Sequence, residues 1–345
     1  MTQVEELGVV TTRSGILTVI DTGYLSLWSH DHAPMLPPGS LSSEEQTERA
    51  NSFVDLHIVG ADAERAGTLL DMSWHPSYVY DQPPDHPELQ NKLDELVRTH
   101  KLDARFEMIS PRIPHRRRVD LALEHGKGVG EFQFHGIWAV VLSGVPQLQP
   151  LRILGQRSTE PYADRWKQVF VECRPHGQIV RSERVGLVGV DYARLLVADV
   201  DALGMWQHEE SRDGKADYVF WGRDAERAAS ATNAPRLPTG EFGWLDLPED
   251  SAQEHGCAVQ EYRDQQSLKF AVDYRPHSDH WRVMSPTRKS STESASVELA
   301  GVTICNFMTT WGDGLFEVHR DLGESGELLR IRIEMEQEPR NGQPS

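Results

Sequence analysis

Histidine and aspartate side chains stand close together in two short segments of this chain, and such side chains can bind metal ions. The first segment, His30-Asp31-His32, would place both imidazoles on one face of a β-strand, as some mononuclear metal sites require. A third ligand would come from His57, His75 or His86. The glutamate that completes a cupin-type motif is absent. We therefore expect no bound metal, and His30 and His32 are the candidate ligands that a metal assay should test.

The second segment, His277-Ser-Asp279-His280, lies beside Trp281 in a polar stretch. Nothing in the sequence joins it to the first segment. The chain also lacks a G-x-S-x-G elbow, a P-loop and a G-x-G-x-x-G fingerprint, which are signatures of hydrolases and of nucleotide-binding proteins. The sequence therefore assigns no catalytic residue and predicts no cofactor.

Basic side chains are concentrated in one segment, between Arg112 and Arg118. Such a cluster can bind an acidic partner or a phosphorylated ligand, and Arg116 and Arg117 are then the candidate binding residues. The other interpretation is a solvated loop, which we favour because the protein as a whole is acidic.

The charge balance restricts the partners that this protein can bind. The 345 residues include 53 acidic and 35 basic side chains, for a formal net charge of -18. That charge repels nucleic-acid backbones and anionic membranes, so we expect neither as a partner, whereas a basic protein is compatible. No apolar run is long enough to span a bilayer. Three cysteines without a C-x-x-C pair or a secretory signal indicate reduced thiols and a cytoplasmic location.

A repeated sequence pattern predicts how these residues are positioned. Gly60–Ala66 recurs as Gly222–Ala228 with six of seven residues identical, and Leu17–Asp21 matches Leu195–Asp199 in the same order. Matched blocks in one order indicate duplication of a single unit. In each copy the Asp-Ala-Glu-Arg-Ala segment is predicted to begin a helix, with its first aspartate as a cap or a first-turn charge.

The predicted fold is mainly β with some α, an α+β class built from two tandem, duplicated β-rich domains that are sandwich-like or barrel-like. We predict a first copy over 1–177, a second over 178–338 and a frayed tail over 339–345. Apolar runs and alternating strands dominate both copies. Pro87–Lys101 is the clearest helix, because its leucines and Val97 fall on one face.

The segment Trp311-Gly312-Asp313-Gly314 follows an apolar strand and precedes an aromatic-containing strand. This arrangement resembles the C-terminal signature of a bacterial family of domains of unknown function, and the resemblance implies a compact, mainly β domain. We predict a structural turn in which the two glycines allow positive φ, Asp313 bonds backbone amides and Trp311 covers one end of a sheet. The alternative is a turn in which Trp311 and Asp313 bind a ligand or partner.

These features support two functions. The first is a cytoplasmic binding module without catalysis that acts through protein contacts, as an immunity or regulatory protein does. The alternative is a small-molecule enzyme with its site in the cleft between the two copies, because ligand pockets often lie between domains. A closed pocket that gathers Asp, Glu and His side chains from both halves would favour the alternative.

Overall fold

The protein has an α+β fold, as its sequence predicts. The computed structural model describes residues 4–36, 44–72, 74–84 and 87–336. His86 and the predicted tail over 339–345 lie outside these described residues. We define the first half of the chain as 1–177 and the second half as 178–336.

The first half contains nine strands and four α-helices within its described residues. In chain order they are β1 (Val4–Val10), β2 (Leu17–Asp21), α1 (Glu44–Asn51), β3 (Val54–Val59), α2 (Ala63–Leu70), β4 (Tyr80–Gln82), α3 (Pro87–His100), β5 (Arg105–Ile109), α4 (His115–His125), β6 (Val129–Phe134), β7 (Ile137–Leu142), β8 (Leu151–Arg157) and β9 (Trp166–Glu172). The helix predicted over Pro87–Lys101 is confirmed as α3.

The second half follows the same order of elements, except that no counterpart of α1 occurs within its described residues. Its elements are β10 (Arg181–Val190), β11 (Arg194–Asp199), β12 (Lys215–Trp221), α5 (Ala225–Thr232), β13 (Phe242–Pro248), α6 (Glu249–Gln265), β14 (Ala271–Pro276), α7 (Asp279–Lys289), β15 (Ser294–Leu299), β16 (Val302–Met308), β17 (Gly314–Leu322) and β18 (Leu328–Glu334). A short 3-10 helix follows β2 at Thr22–Leu27 and β11 at Ala202–Met205.

Two six-stranded antiparallel sheets each take three strands from each half. Their strand orders are β1-β8-β9-β18-β17-β10 and β15-β16-β11-β2-β7-β6. The halves therefore meet where β9 pairs with β18 and where β2 pairs with β11. Each half also has a three-stranded sheet, β4-β3-β5 in the first and β13-β12-β14 in the second.

Apolar side chains from both six-stranded sheets form one buried cluster, so these sheets pack as a sandwich. Leu17 of β2, Trp166 of β9 and Phe307 of β16 are all completely buried in it. Strand β18 shows how the sequence directs side chains into this cluster. Its buried Leu329, Ile331 and Ile333 alternate with half-buried neighbours, because successive side chains of a strand point to opposite faces of the sheet.

Side chains connect the edges of the two large sheets. Beside a bulge at Gly8 in β1, the amide of Val9 donates to Ser296 Oγ of β15 at 2.8 Å. Beside a bulge at Gly186 in β10, the amide of Leu187 donates to Glu131 Oε2 of β6 at 2.7 Å. The two junctions correspond, because Ser296 and Glu131 are each the third residue of their strands.

The compact units of the chain differ from the predicted domains over 1–177 and 178–338. One unit comprises 1–205 with 286–345, and the other comprises 206–285. The physical reason is strand sharing: both large sheets combine strands of the two halves, so a cut near residue 177 would separate paired strands. The smaller unit contains the sheet β13-β12-β14 with helices α5 and α6.

Candidate functional site

The predicted metal ligands His30 and His32 lie in a turn, so the strand geometry expected for an H-x-H pair is wrong. His30 has a positive φ of 49°, and its Nδ1 lies 2.8 Å from Asp31 Oδ2. His32 is exposed to solvent. Residues i and i+2 place their side chains on the same face only in an extended strand. This turn therefore does not align the rings of His30 and His32.

The candidate binding residues Arg116 and Arg117 lie in the first turn of α4, where each is paired with a carboxylate. Arg116 Nε lies 3.0 Å from Asp201 Oδ1, and Arg116 also binds Asp120 one helical turn away. Arg117 contacts Glu124 at 2.8 Å. A solvated loop is therefore wrong for this segment: it is helical, and acidic neighbours already satisfy these guanidinium groups.

Two further arginines of the basic segment are buried in an ion-pair network. Arg118 makes two 2.8 Å contacts with Asp55 and one of 2.8 Å with Asp81, and all three side chains are at most 2% exposed. Arg112 bridges the same two aspartates at 3.1 and 2.6 Å. The amide of Ile113 donates to Asp55 at 2.6 Å. Two guanidinium groups thus neutralise two buried carboxylates and fix the start of α4 against β3 and β4.

The W-G-D-G segment forms the connection between β16 and β17. Trp311 packs against the sandwich core, and its Nε1 donates to the carbonyl oxygen of Trp166 at 2.7 Å. Asp313 accepts from the amide of Ala193 at 2.9 Å. Only one of the two glycines needs a positive φ: Gly312 has φ 81°, whereas Gly314 begins β17. The turn therefore uses the positive φ that a glycine allows at Gly312 and not at Gly314.

His277 of the second histidine segment lies among carboxylates in the smaller unit. Its Nδ1 is 3.1 Å from Asp213 and its Nε2 is 3.2 Å from Asp217. Asp246 lies 4.0 Å from the same Nε2, so Asp217, Asp246 and His277 form a group that could hold a metal ion. Because both ring nitrogens face carboxylates, the arrangement fits a doubly protonated imidazolium, which has no lone pair for a metal. His280 instead stacks on His208, with ring centroids 4.3 Å apart.

An arginine side chain occupies the corresponding place in the first half. Asp55 and Asp217 each stand five residues before the glycine of the repeated motif. Asp55 is held by Arg112 and Asp217 by His277. A permanently charged guanidinium in one half is thus matched by a titratable imidazole in the other.

We expect the stability of the protein to depend on pH through His277. Although burial opposes protonation, the hydrogen bonds that the ring donates to Asp213 and Asp217 raise the pKa of His277 above its ordinary 6.5. The stabilisation is complete below the unfolded-state pKa and is lost as the pH rises through the higher folded-state pKa. The difference in urea midpoint between wild type and His277→Gln should therefore shrink from about pH 6 to about pH 9. A difference that stays constant over this range would contradict the prediction.

An open cavity of about 440 Å³ in the larger unit lies where the two halves meet, and we call it the junction cavity. The first half contributes the ionisable side chains His75, Tyr78, His125 and Glu131. The second half contributes Glu183, Arg184 and Arg320. This cavity meets the criterion set by the sequence only in part: glutamates of both halves line it, but both histidines come from the first half and the cavity is open.

Two histidines form one wall of the junction cavity. The rings of His75 and His125 stack with centroids 4.2 Å apart and planes 7° apart. Burial, with a smaller contribution from His125, lowers the pKa of His75 to about 4, so His75 is neutral near pH 7. The Tyr78 hydroxyl and His75 Nδ1 are buried and find no hydrogen-bond partner among the described residues. A polar ligand in the cavity could supply partners for these two atoms.

Glu131 is the residue that most distinguishes this cavity from the corresponding junction. The hydroxyl of Ser296 accepts a hydrogen bond from the amide of Val9 at the edge of the other sheet. A serine is therefore sufficient to connect two sheet edges. At the Glu131 position the same connection is made by a carboxylate that is only 8% exposed. Burying a carboxylate costs more free energy than burying a hydroxyl. Glu131 thus exceeds what the fold requires.

Sequence reasoning finds only part of this site. It offers His75 as a third metal ligand beside His30, but the ring of His75 stacks on His125 instead. It misses Glu131, although aligning the two halves strand by strand places this residue at the position of Ser296. That replacement of a small hydroxyl by a carboxylate is the signal that the sequence contains.

Comparisons with known proteins do not assign this geometry to a family. No protein-family model, curated protein or solved structure matches the chain. The W-G-D-G resemblance therefore stays a prediction. Among the helices of the described ranges, none combines the length and the apolar character that crossing a bilayer requires.

Proposed function

We propose that this protein binds a small polar molecule in the junction cavity. The observation that carries the proposal is buried Glu131 at a sheet edge where the corresponding residue is Ser296. A volume of about 440 Å³ lies within the usual range of small-ligand pockets. The protein-contact function predicted from the sequence, with a cytoplasmic location and no nucleic-acid partner, stays a prediction.

The lining favours a ligand that carries both hydrogen-bonding and charged groups. Arg320 lies 2.6 Å from Glu183, and Arg184 lies 3.4 Å from Glu317. The positive charges of these two lining arginines are therefore already partly neutralised by carboxylates. A polar ligand can exchange contacts with such exposed pairs at low cost, because exposed ion pairs contribute little to stability. Glu131 then supplies a fixed, desolvated acceptor at the inner side.

We expect at least one compound from a panel of amino acids, hydroxy acids and sugars to bind the wild-type protein, as measured by saturation-transfer NMR. Glu131→Gln should weaken that binding, because the amide keeps the acceptor for Leu187 but removes the charge. Arg184→Ala should also weaken it, whereas Arg152→Ala is the matched control, since Arg152 is an exposed arginine on β8 of the same sheet and neither it nor its partners Glu6 and Glu172 line the cavity. Equal binding in all variants would reject the junction cavity as the site.

A further inference from the structure

A serine hydroxyl and an imidazole meet beside the junction cavity. Ser77 Oγ lies 2.9 Å from His125 Nε2. His125 Nδ1 lies 2.8 Å from the carbonyl oxygen of Leu121. A carbonyl oxygen can only accept, so Nδ1 carries the proton, and Nε2 of the neutral ring must accept from the Ser77 hydroxyl. This is the relation of a nucleophile to a general base whose tautomer is fixed by a third group.

The end of α4 holds the base in this position. His125 is the last residue of α4, and Leu121 is one turn earlier on the same helix face, so its carbonyl oxygen is within reach of the His125 ring. Gly126 follows, and a Cβ there would lie 1.5 Å from the carbonyl oxygen of Val129, so this tight exit requires glycine. The stacked ring of His75 restrains the imidazole from one face.

Both reacting groups are within reach of a small molecule. His125 is exposed and lines the junction cavity, whereas Ser77 is half-buried and lines a narrow adjoining pocket that shares His75, Tyr78 and Glu131 with the cavity. His75 stays neutral near pH 7 because burial and His125 lower its pKa to about 4. The neighbouring ring therefore adds no positive charge that would oppose protonation of His125 during catalysis.

We propose that Ser77 is a nucleophile and His125 its general base, and that this pair hydrolyses a small carboxylic ester bound at the edge of the junction cavity, where the narrow pocket of Ser77 adjoins it. This inference rests on the proposed function. Ser77 Oγ forms a bond to the ester carbonyl carbon while its proton passes to His125 Nε2. The bond from that carbon to the alcohol oxygen breaks, and His125 gives the proton to the leaving oxygen. Water, activated by His125, then attacks the acyl-Ser77 carbonyl and releases the acid and free Ser77.

A fluorophosphonate probe tests the nucleophile without knowledge of the natural substrate. In this reaction the serine oxygen forms a bond to phosphorus, fluoride leaves and His125 takes the proton. We expect intact-mass spectrometry to show one label per chain, mapped to Ser77 and absent from Ser77→Ala. His125→Ala should slow labelling by about 100-fold or more, as loss of a general base does.

Ser143→Ala is the matched control, because Ser143 Oγ donates to the carbonyl oxygen of Gly128 instead of to a histidine. This variant should label like wild type, and thermal melts should show that every variant is folded. Labelling of folded wild type that misses Ser77, or that is unchanged in folded His125→Ala, would overturn the proposal. Labelling of Ser77 without ligand binding in the panel would instead reject the proposed function and leave the nucleophile standing.

Hydrolysis of p-nitrophenyl acetate supplies the second measurement. Wild type and Ser143→Ala should release nitrophenolate at the same rate, and Ser77→Ala should fall to the rate of buffer. A labelled Ser77 with no ester turnover would contradict the hydrolytic step. A pair that only stabilises the fold would give a lower melting temperature in His125→Ala with neither labelling nor turnover in wild type.

Discussion

Replacing Arg118 by methionine should lower the free energy of unfolding by about 3–5 kcal/mol, which is the usual cost of breaking a buried ion pair from one side. Arg118 is 2% exposed and contacts Asp55 and Asp81, which are both fully buried. The substitution keeps an unbranched side chain in place but leaves two carboxylates to share the single guanidinium of Arg112. Urea unfolding followed by circular dichroism measures the loss.

Arg117→Met is the matched control for this experiment, one residue earlier in the same helix. Arg117 pairs with Glu124 at the surface, where solvent and salt screen the interaction. Its urea midpoint should therefore stay close to that of wild type. Equal midpoints for the two variants would show that the buried network does not stabilise the fold, and that α4 is held by its apolar contacts alone.

This contrast between neighbours explains why the sequence misleads about the basic segment. Sequence alone shows a run of arginines, but the carboxylates that pair with Arg118 come from β3 and β4, far away in the chain. A run of basic residues is solvated only if no strand from elsewhere in the chain packs against it and supplies carboxylates. The structure places β3 and β4 beside this run, and each contributes one aspartate that pairs with Arg118. The segment therefore stabilises the fold and does not form a free basic surface.

Local patterns are sufficient wherever the cause of a structure is local. The apolar stripe of Pro87–Lys101 predicts α3, because helix amphipathicity repeats within one turn. The aspartates of the repeated motif show the limit: neither Asp62 nor Asp224 caps its own helix through its side chain. Instead Asp62 accepts from the amide of Asp103, and Asp224 accepts from that of Lys269, at 2.9 and 2.8 Å.

The candidate site is less predictable than the fold, since its members come from separate elements. Ser77 and His125 meet because the exit of α4 approaches the segment before β4. The lining from β10 and β17 arrives only because the halves share both large sheets. Motif reasoning searches for residues near one another in sequence, so it selects His30 and His32 and passes over Glu131.

Trp311→Ala should lower the free energy of unfolding by about 3 kcal/mol, near the lower end for large-to-small changes because the ring is only half-buried. The indole packs on the sandwich core, lies 5.2 Å from the ring of Tyr162 and has the Arg165 guanidinium 4.7 Å above it. Trp311→Phe should lose only about 1 kcal/mol, since it keeps the apolar contact and removes the hydrogen bond to Trp166.

The same variants separate a structural turn from a ligand-binding turn. Asp313→Asn keeps an acceptor for the amide of Ala193, so the melting temperature should hold, and binding of the panel compounds should also be unchanged. Neither Trp311 nor Asp313 lines the junction cavity, so a structural turn predicts that ligand binding and stability respond to different residues. A Trp311→Ala protein with an unshifted melt and lost binding would reverse this assignment. The turn would then be the ligand site, and the buried Nε1 bond to Trp166 would serve to aim the ring at the ligand.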